Sequence, residues 1–131
     1  MTSAPDPQLR AFERLLATMR ALRNPQGGCP WDLEQTHASL RNTLLEEAYE
    51  ALEALDSGDS TRMVEELGDV LFQVVFHAQI GADDGTFAID EVIDGLNGKL
   101  ISRHPHVFGD ATAATAGEVV GQWERLKAAE R

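Results

Sequence analysis

The sequence predicts an all-α protein, a bundle of helices. Apolar residues recur at helical spacing along nearly the whole chain, and clusters of Gly, Pro and Asp divide that pattern into segments. Nowhere does the strict apolar and polar alternation of a strand run convincingly. At 131 residues the chain is expected to form one domain, long enough to bury a core yet of a size that often gains stability by association.

The elements follow in order. A first helix is expected from about Pro7 to Arg23, with Leu9, Phe12, Leu15, Leu16 and Met19 on one face. NPQGGCPWDLEQ then reads as a loop. A second helix is expected from about His37 to Leu55, and the turn DSGDS leads to a third from about Thr61 to Ile80, closed by GADDGT. A fourth fits Ile89 to Arg103, because His104 precedes Pro105 and is biased away from helical geometry. HVFGDATAATAG is a linker of small residues, and a last helix runs from Glu118 to about Ala129. There is no internal repeat and no long low-complexity segment.

Charge narrows the function. With 22 acidic against 11 basic residues and a formal charge of −11, the chain lacks the cations on which nonspecific nucleic-acid affinity rests. No nucleic-acid polymer is therefore expected as partner, although a small anionic ligand that brings its own cation fits. The single cysteine, Cys29, excludes an intramolecular disulfide, and MTSAPDPQLR has no basic segment followed by an apolar run, so a cytoplasmic protein is expected. The longest apolar run, VLFQVVFHAQI, is too short to span a bilayer, and no membrane partner is expected.

Against that background LLEEAYEALEALDSGDSTRMVEELGD, Leu44 to Asp69, stands out: nine acids and one arginine on two helices. At about 100° per residue, Leu40, Leu44, Ala48, Leu52 and Leu55 form the expected core stripe of the second helix, bordered by Glu47 and then Glu50. Glu46 and Glu53 point away from it. In the third helix Met63, Leu67, Val70, Leu71, Val74 and Ala78 make the main stripe, while Phe72 and Phe76 lie on the other side. A helix apolar on two sides is buried on two sides, and Glu66 and Asp69 fall in the sector between, where an unpaired carboxylate is costly.

Register sharpens the point. A short turn makes the two helices antiparallel neighbours about Gly58. Glu50 and Glu66 each lie eight residues from it, Glu47 and Asp69 each eleven. Four carboxylates thus form two levels, about 12 Å and about 16 Å from the turn at about 1.5 Å per residue. Like charges so placed repel unless protons or cations intervene, and oxygen ligands without Cys or His favour Mg²⁺, with Mn²⁺ as substitute. Solvated helix faces are the plain alternative. A di-iron carboxylate bundle needs two Glu-x-x-His pairs on core helices, and only Glu34 with His37 has that spacing, at a loop edge.

The E-E-x-x-E of Glu46, Glu47 and Glu50, followed by the E-x-x-D of EELGD, resembles the signature of the MazG-type nucleoside triphosphate pyrophosphohydrolases. CPWDLEQTHASL, GDVLFQVVFHA and KLISRHPHVFGD are similar to family wording, so the resemblance covers nearly the whole chain. It implies a MazG-like helical bundle whose core is shared between subunits of a homodimer or higher homo-oligomer. It also implies Mg²⁺-dependent hydrolysis of normal or damaged nucleoside triphosphates between the α and β phosphates, giving monophosphate and pyrophosphate. Glu47, Glu50, Glu66 and Asp69 match the family's metal ligands. Glu46 is either the base for the attacking water or an exposed helix glutamate.

The same resemblance places Lys99 and Arg103, four residues apart, on nucleotide phosphate; a structural carboxylate would equally satisfy an inward Arg103. Arg62 either meets phosphate or pairs with Glu66 one turn on. Trp123 and Lys127 match positions near the nucleotide, with Trp123 as a bundle-end cover being the alternative. Trp31 and Asp32 are expected to anchor a turn, and His104 and His106 to pack their own loop. Family members are single-domain chains or tandem duplications, and this chain corresponds to one copy. The reading from another class is a noncatalytic helical interaction module with solvated acidic faces.

Overall fold

The computed structural model describes residues 6–131. It consists of α1 (Pro7–Leu22), α2 (Pro30–Glu34), α3 (Arg41–Ser57), α4 (Ser60–Asp84), α5 (Ile89–Ser102), α6 (Pro105–Phe108) and α7 (Ala116–Glu130), with no strand among the described residues. The all-α expectation holds. The chain separates into two compact units, one ending at Ile89 and one beginning at Asp90.

In the first unit each helix begins and ends for a local reason. Asp6 caps α1 by accepting from the Gln8 N–H at 2.8 Å, and Pro7 supplies the fixed φ suited to a first helical position. The expected NPQGGCPWDLEQ loop contains a short helix after all, because Pro30 starts α2 directly after Cys29. The next helix begins at Arg41 rather than His37, since residues 37–40 form a turn braced by Ser39 Oγ on the Thr36 N–H at 2.8 Å. Gly58 ends α3 in the left-handed region at φ 70°, and Asp59 starts α4 by accepting from the Thr61 N–H at 2.9 Å. GADD does not stop α4 at Ile80; the helix continues to Asp84, where Gly85 is the left-handed cap.

The core cluster is Met19 of α1, Leu40, and Val75, Phe76 and Ile80 of α4, with Phe12, Leu15, Leu16, Leu22, Phe72 and Ile89 packed against it. Burying one such side chain contributes about 1.5–3 kcal/mol. Arg23 ties the end of α1 to this core: it pairs with Asp83 at 2.9 Å, donates to the Asp32 carbonyl at 2.7 Å, and lies over the Phe76 ring. The Trp31 ring meets Phe76 edge-on, its centroid 6.2 Å away, so the CPWD segment does anchor a turn on the core.

Of the stripes expected to form the core of the two helices, Leu40 and Ala78 are buried, but most of the rest is a correction. Leu44, Leu52, Leu55, Leu67, Leu71 and Val74 are 40–54% exposed in the single chain. The two helices meet instead through buried Ala51 and Ala54, which share a face of α3 with Glu47 and Glu50, about a quarter-turn from the leucine stripe. Small side chains there let the backbones approach. On α4 one sector faces α3, a second carrying Phe72 and Phe76 joins the α1 cluster, and the third, with Leu67, Leu71 and Val74, stays uncovered.

In the second unit α5 ends at Ser102, and the expected linker holds α6, begun by Pro105. Thr115 caps α7, which begins at Ala116, two residues before the expected Glu118: the Thr115 Oγ accepts from the Glu118 N–H at 3.2 Å, while the Glu118 carboxylate accepts from the Ala114 N–H at 2.7 Å.

Candidate metal centre

The α3–α4 hairpin brings Glu47, Glu50, Glu66 and Asp69 together, one carboxylate oxygen from each lying within 4.8 Å of the others. Spacing three apart on each helix, matched about Gly58, produces this convergence. Glu47 and Glu66 are half-buried. Their Oε2 atoms are buried without a hydrogen-bond partner, a state that opposes ionisation of both groups.

Electrostatics agree with the geometry. Burial holds the Glu47 carboxyl above the ordinary carboxylate range, and the negative charges of Glu50, Asp69 and Glu66 push it the same way. Glu66 is raised first by burial and then by Glu50, Asp69 and Glu65. Crowded acceptor oxygens, two of them orphaned and none paired with Lys or Arg among the described residues, fit a divalent cation chemically. Among the described residues no Cys or His joins the group, and His37 is engaged elsewhere, its Nδ1 lying 2.8 Å from that of His77.

The other sequence-chosen residues sit as follows. Glu46, on α3, is exposed and outside the four-carboxylate group. Arg62, in the first turn of α4, is exposed and forms no ion pair with Glu66 among the described residues. Lys99, Arg103, Trp123 and Lys127 belong to the second unit. There Arg103 Nη2 pairs with Glu130 at 2.8 Å and the guanidinium lies 5.7 Å from the Trp123 ring centroid. Trp123 also meets His104 edge-on at 4.8 Å, and His106 lies 3.2 Å from Gln122. The two histidines lie beside each other, ring centroids 5.4 Å apart, but pack on α7 as well as on their own loop. Lys99 is exposed and Lys127 half-buried.

Three features escaped the sequence reading. Glu130 as partner of Arg103 lies 27 residues away and has no local signal. The His37–His77 pair depends on the turn before α3, since the two histidines stand 21 and 19 residues from Gly58 and so break the equal counting that aligns the carboxylates. Gln73, one turn after Asp69, is buried at 3% exposure with Oε1 unpartnered.

Comparison with known proteins agrees with the motif. A family model described as the MazG nucleotide pyrophosphohydrolase domain matches residues 35–108. A Thermotoga maritima protein named nucleoside triphosphate pyrophosphohydrolase/pyrophosphatase MazG is 54% identical over 92% of this chain and 45% of its own length. The Escherichia coli nucleoside triphosphate pyrophosphohydrolase is 45% identical over 94% of this chain and 47% of its own. The uncharacterized protein YabN of Bacillus subtilis is 51% identical over 92% of this chain and 24% of its own. The chain thus spans less than half the length of each of these relatives. The matched segment contains all four converging carboxylates and both helices that carry them, and by that match the chain belongs to the MazG nucleotide pyrophosphohydrolase domain family.

Proposed function

We propose that this chain hydrolyses nucleoside triphosphates between the α and β phosphates with Mg²⁺. The observation that carries the reading is the convergence of Glu47, Glu50, Glu66 and Asp69 with two buried, unpartnered oxygens. The names of the Thermotoga and Escherichia relatives, nucleoside triphosphate pyrophosphohydrolases, support a reaction of this kind. A bound Mg²⁺ would neutralise the polyphosphate and acidify an attacking water.

The chain's own residues do the rest. Glu47, Glu50, Glu66 and Asp69 would hold the cation. Glu46 accepts the proton of the water, whose oxygen bonds to one phosphorus as the bridging oxygen leaves with the other. Lys99, Arg103, Arg62 and Lys127 meet nucleotide phosphate, and Trp123 stacks on the base or sugar. Arg103 has five N–H donors, of which Nε and one on Nη2 are used on Glu130, so others are left for an anion. The substrate range includes normal and damaged nucleotides, and the setting is cytoplasmic. A second copy covers the leucine row of α3 and α4, giving a homodimer; no described helix is long and apolar enough to cross a membrane.

The test is a panel of normal and damaged nucleoside triphosphates with Mg²⁺, products identified by chromatography. Monophosphate with pyrophosphate is expected; diphosphate with phosphate overturns the reaction. Glu50→Gln and Glu66→Gln should each lower kcat/KM by about a hundredfold or more, since even outer partners of a metal cost 10–100-fold. Full activity in either folded variant would remove the carboxylates from the mechanism.

A further inference from the structure

Gln73 is a long polar side chain buried at 3% exposure in the middle of α4. Among the described residues only three buried side-chain oxygens or nitrogens lack a hydrogen-bond partner: Glu47 Oε2, Glu66 Oε2 and Gln73 Oε1. All three are acceptors, and all three belong to the α3–α4 hairpin. A buried amide oxygen without a donor is disfavoured over an apolar side chain of the same size, so its presence calls for a donor that the protein itself does not supply.

The register says where that donor stands. Glu66, Asp69 and Gln73 are spaced three and four apart and occupy one face of α4, the face turned to α3. Side chains on a helix lean toward its N-terminus, which carries the Gln73 amide toward Asp69 and the carboxylate group. Mg²⁺ and Mn²⁺ sites of this kind retain water molecules, and such a water is a strong donor.

We propose that Gln73 Oε1 accepts a hydrogen bond from water on the cation held by Glu47, Glu50, Glu66 and Asp69, making Gln73 a positioning residue of the metal centre. The inference rests on the metal reading of the four carboxylates but not on the reaction. Gln73 orients the hydrated cation without contributing a charge, at a level of the hairpin one turn beyond the carboxylates. It thereby extends the motif from E-x-x-D to E-x-x-D-x-x-x-Q in this chain.

The experiment is calorimetric titration with Mn²⁺, without nucleotide, on wild type, Gln73→Leu, Gln73→Met and Gln73→Glu, with melting of each metal-free protein. Gln73→Leu should melt at or above the wild-type temperature without metal, because it removes an orphaned polar group, yet bind Mn²⁺ about tenfold more weakly. Gln73→Met carries the same expectation and serves where Gln73→Leu fails to fold. Gln73→Glu, which keeps an oxygen, should bind at least as tightly as wild type. Wild-type Mn²⁺ affinity in a folded Gln73→Leu or Gln73→Met overturns the inference and leaves the carboxylate centre standing. Absence of Mn²⁺ binding to the wild type overturns both.

Discussion

Glu47 of α3 and Glu66 of α4 belong to one four-carboxylate group, each with one carboxylate oxygen buried and unpartnered. Two acids in that state oppose the fold they sit in. Their folded pKa values are raised, so the metal-free protein binds more protons than the unfolded chain. That contribution to stability is fully present below the ordinary carboxylate value of 4.5 and is lost as pH rises through the raised values.

A cation reverses the balance. At neutral pH, Mg²⁺ or Mn²⁺ at a hundred times its Kd should stabilise the protein by about 2.7 kcal/mol. Metal-free Glu66→Gln should melt above metal-free wild type at neutral pH and gain much less from Mn²⁺. Scanning calorimetry with and without Mn²⁺ reads both; equal gains in the two proteins would contradict the site.

His37 and His77 put a second pH response into the first unit. Their Nδ1 atoms are 2.8 Å apart and their rings stack at 5.1 Å, while burial first and His37 second lower the pKa of His77. A depressed histidine leaves the unfolded chain binding more protons, so stability is fully present above about 6.5 and declines as pH falls below it. His77→Gln should weaken that decline between pH 7.5 and 5.5, at a cost of about 1 kcal/mol at neutral pH from the lost hydrogen bond. Melting curves across that range, compared with wild type, provide the check.

Gly81 marks where α4 touches the segment that follows it. A Cβ there would stand 2.8 Å from both Phe87 Cε1 and the Phe87 carbonyl oxygen, and the latter is backbone. Gly81→Ala should therefore destabilise by about 1–3 kcal/mol through overpacking, despite the better helix propensity of alanine. Urea denaturation would show it as a lower midpoint.

The uncovered leucines predict association. With Leu67, Leu71 and Val74 exposed on one sector of α4 and Leu44, Leu52 and Leu55 on α3, light scattering should find the wild type as a dimer. Leu71→Glu places a charge in that row and should shift the mass toward monomer at micromolar concentration. A monomeric wild type would mean that the row meets some other partner.

The carboxylate centre was legible because it depends on one glycine and simple helical arithmetic, both local. Gly58 fixes the hairpin, and Glu50 with Glu66 and Glu47 with Asp69 then match without knowledge of the rest of the chain. Sequence patterning could not tell which side of α3 meets α4, because leucine marks an apolar face without naming its partner. Ala51 and Ala54, which make the contact, carry a weaker apolar signal than the leucines beside them. The end of α4 was misplaced for a different reason: GADDGT holds two glycines, and only the second, Gly85, takes a left-handed φ. Glu130 was missed because the Arg103 ion pair depends on how α5 and α7 come together.

Gly58 therefore serves as the zero mark of a molecular ruler. Every residue between Glu47 and Asp69 is counted: deleting one within either helix would rotate a carboxylate pair by about 100° and slide it by about 1.5 Å against its opposite number. Length is fixed here as strictly as chemistry is. Across this block the chain can vary the identity of an outward side chain, but it cannot gain or lose a residue without dispersing the four oxygens that α3 and α4 gather.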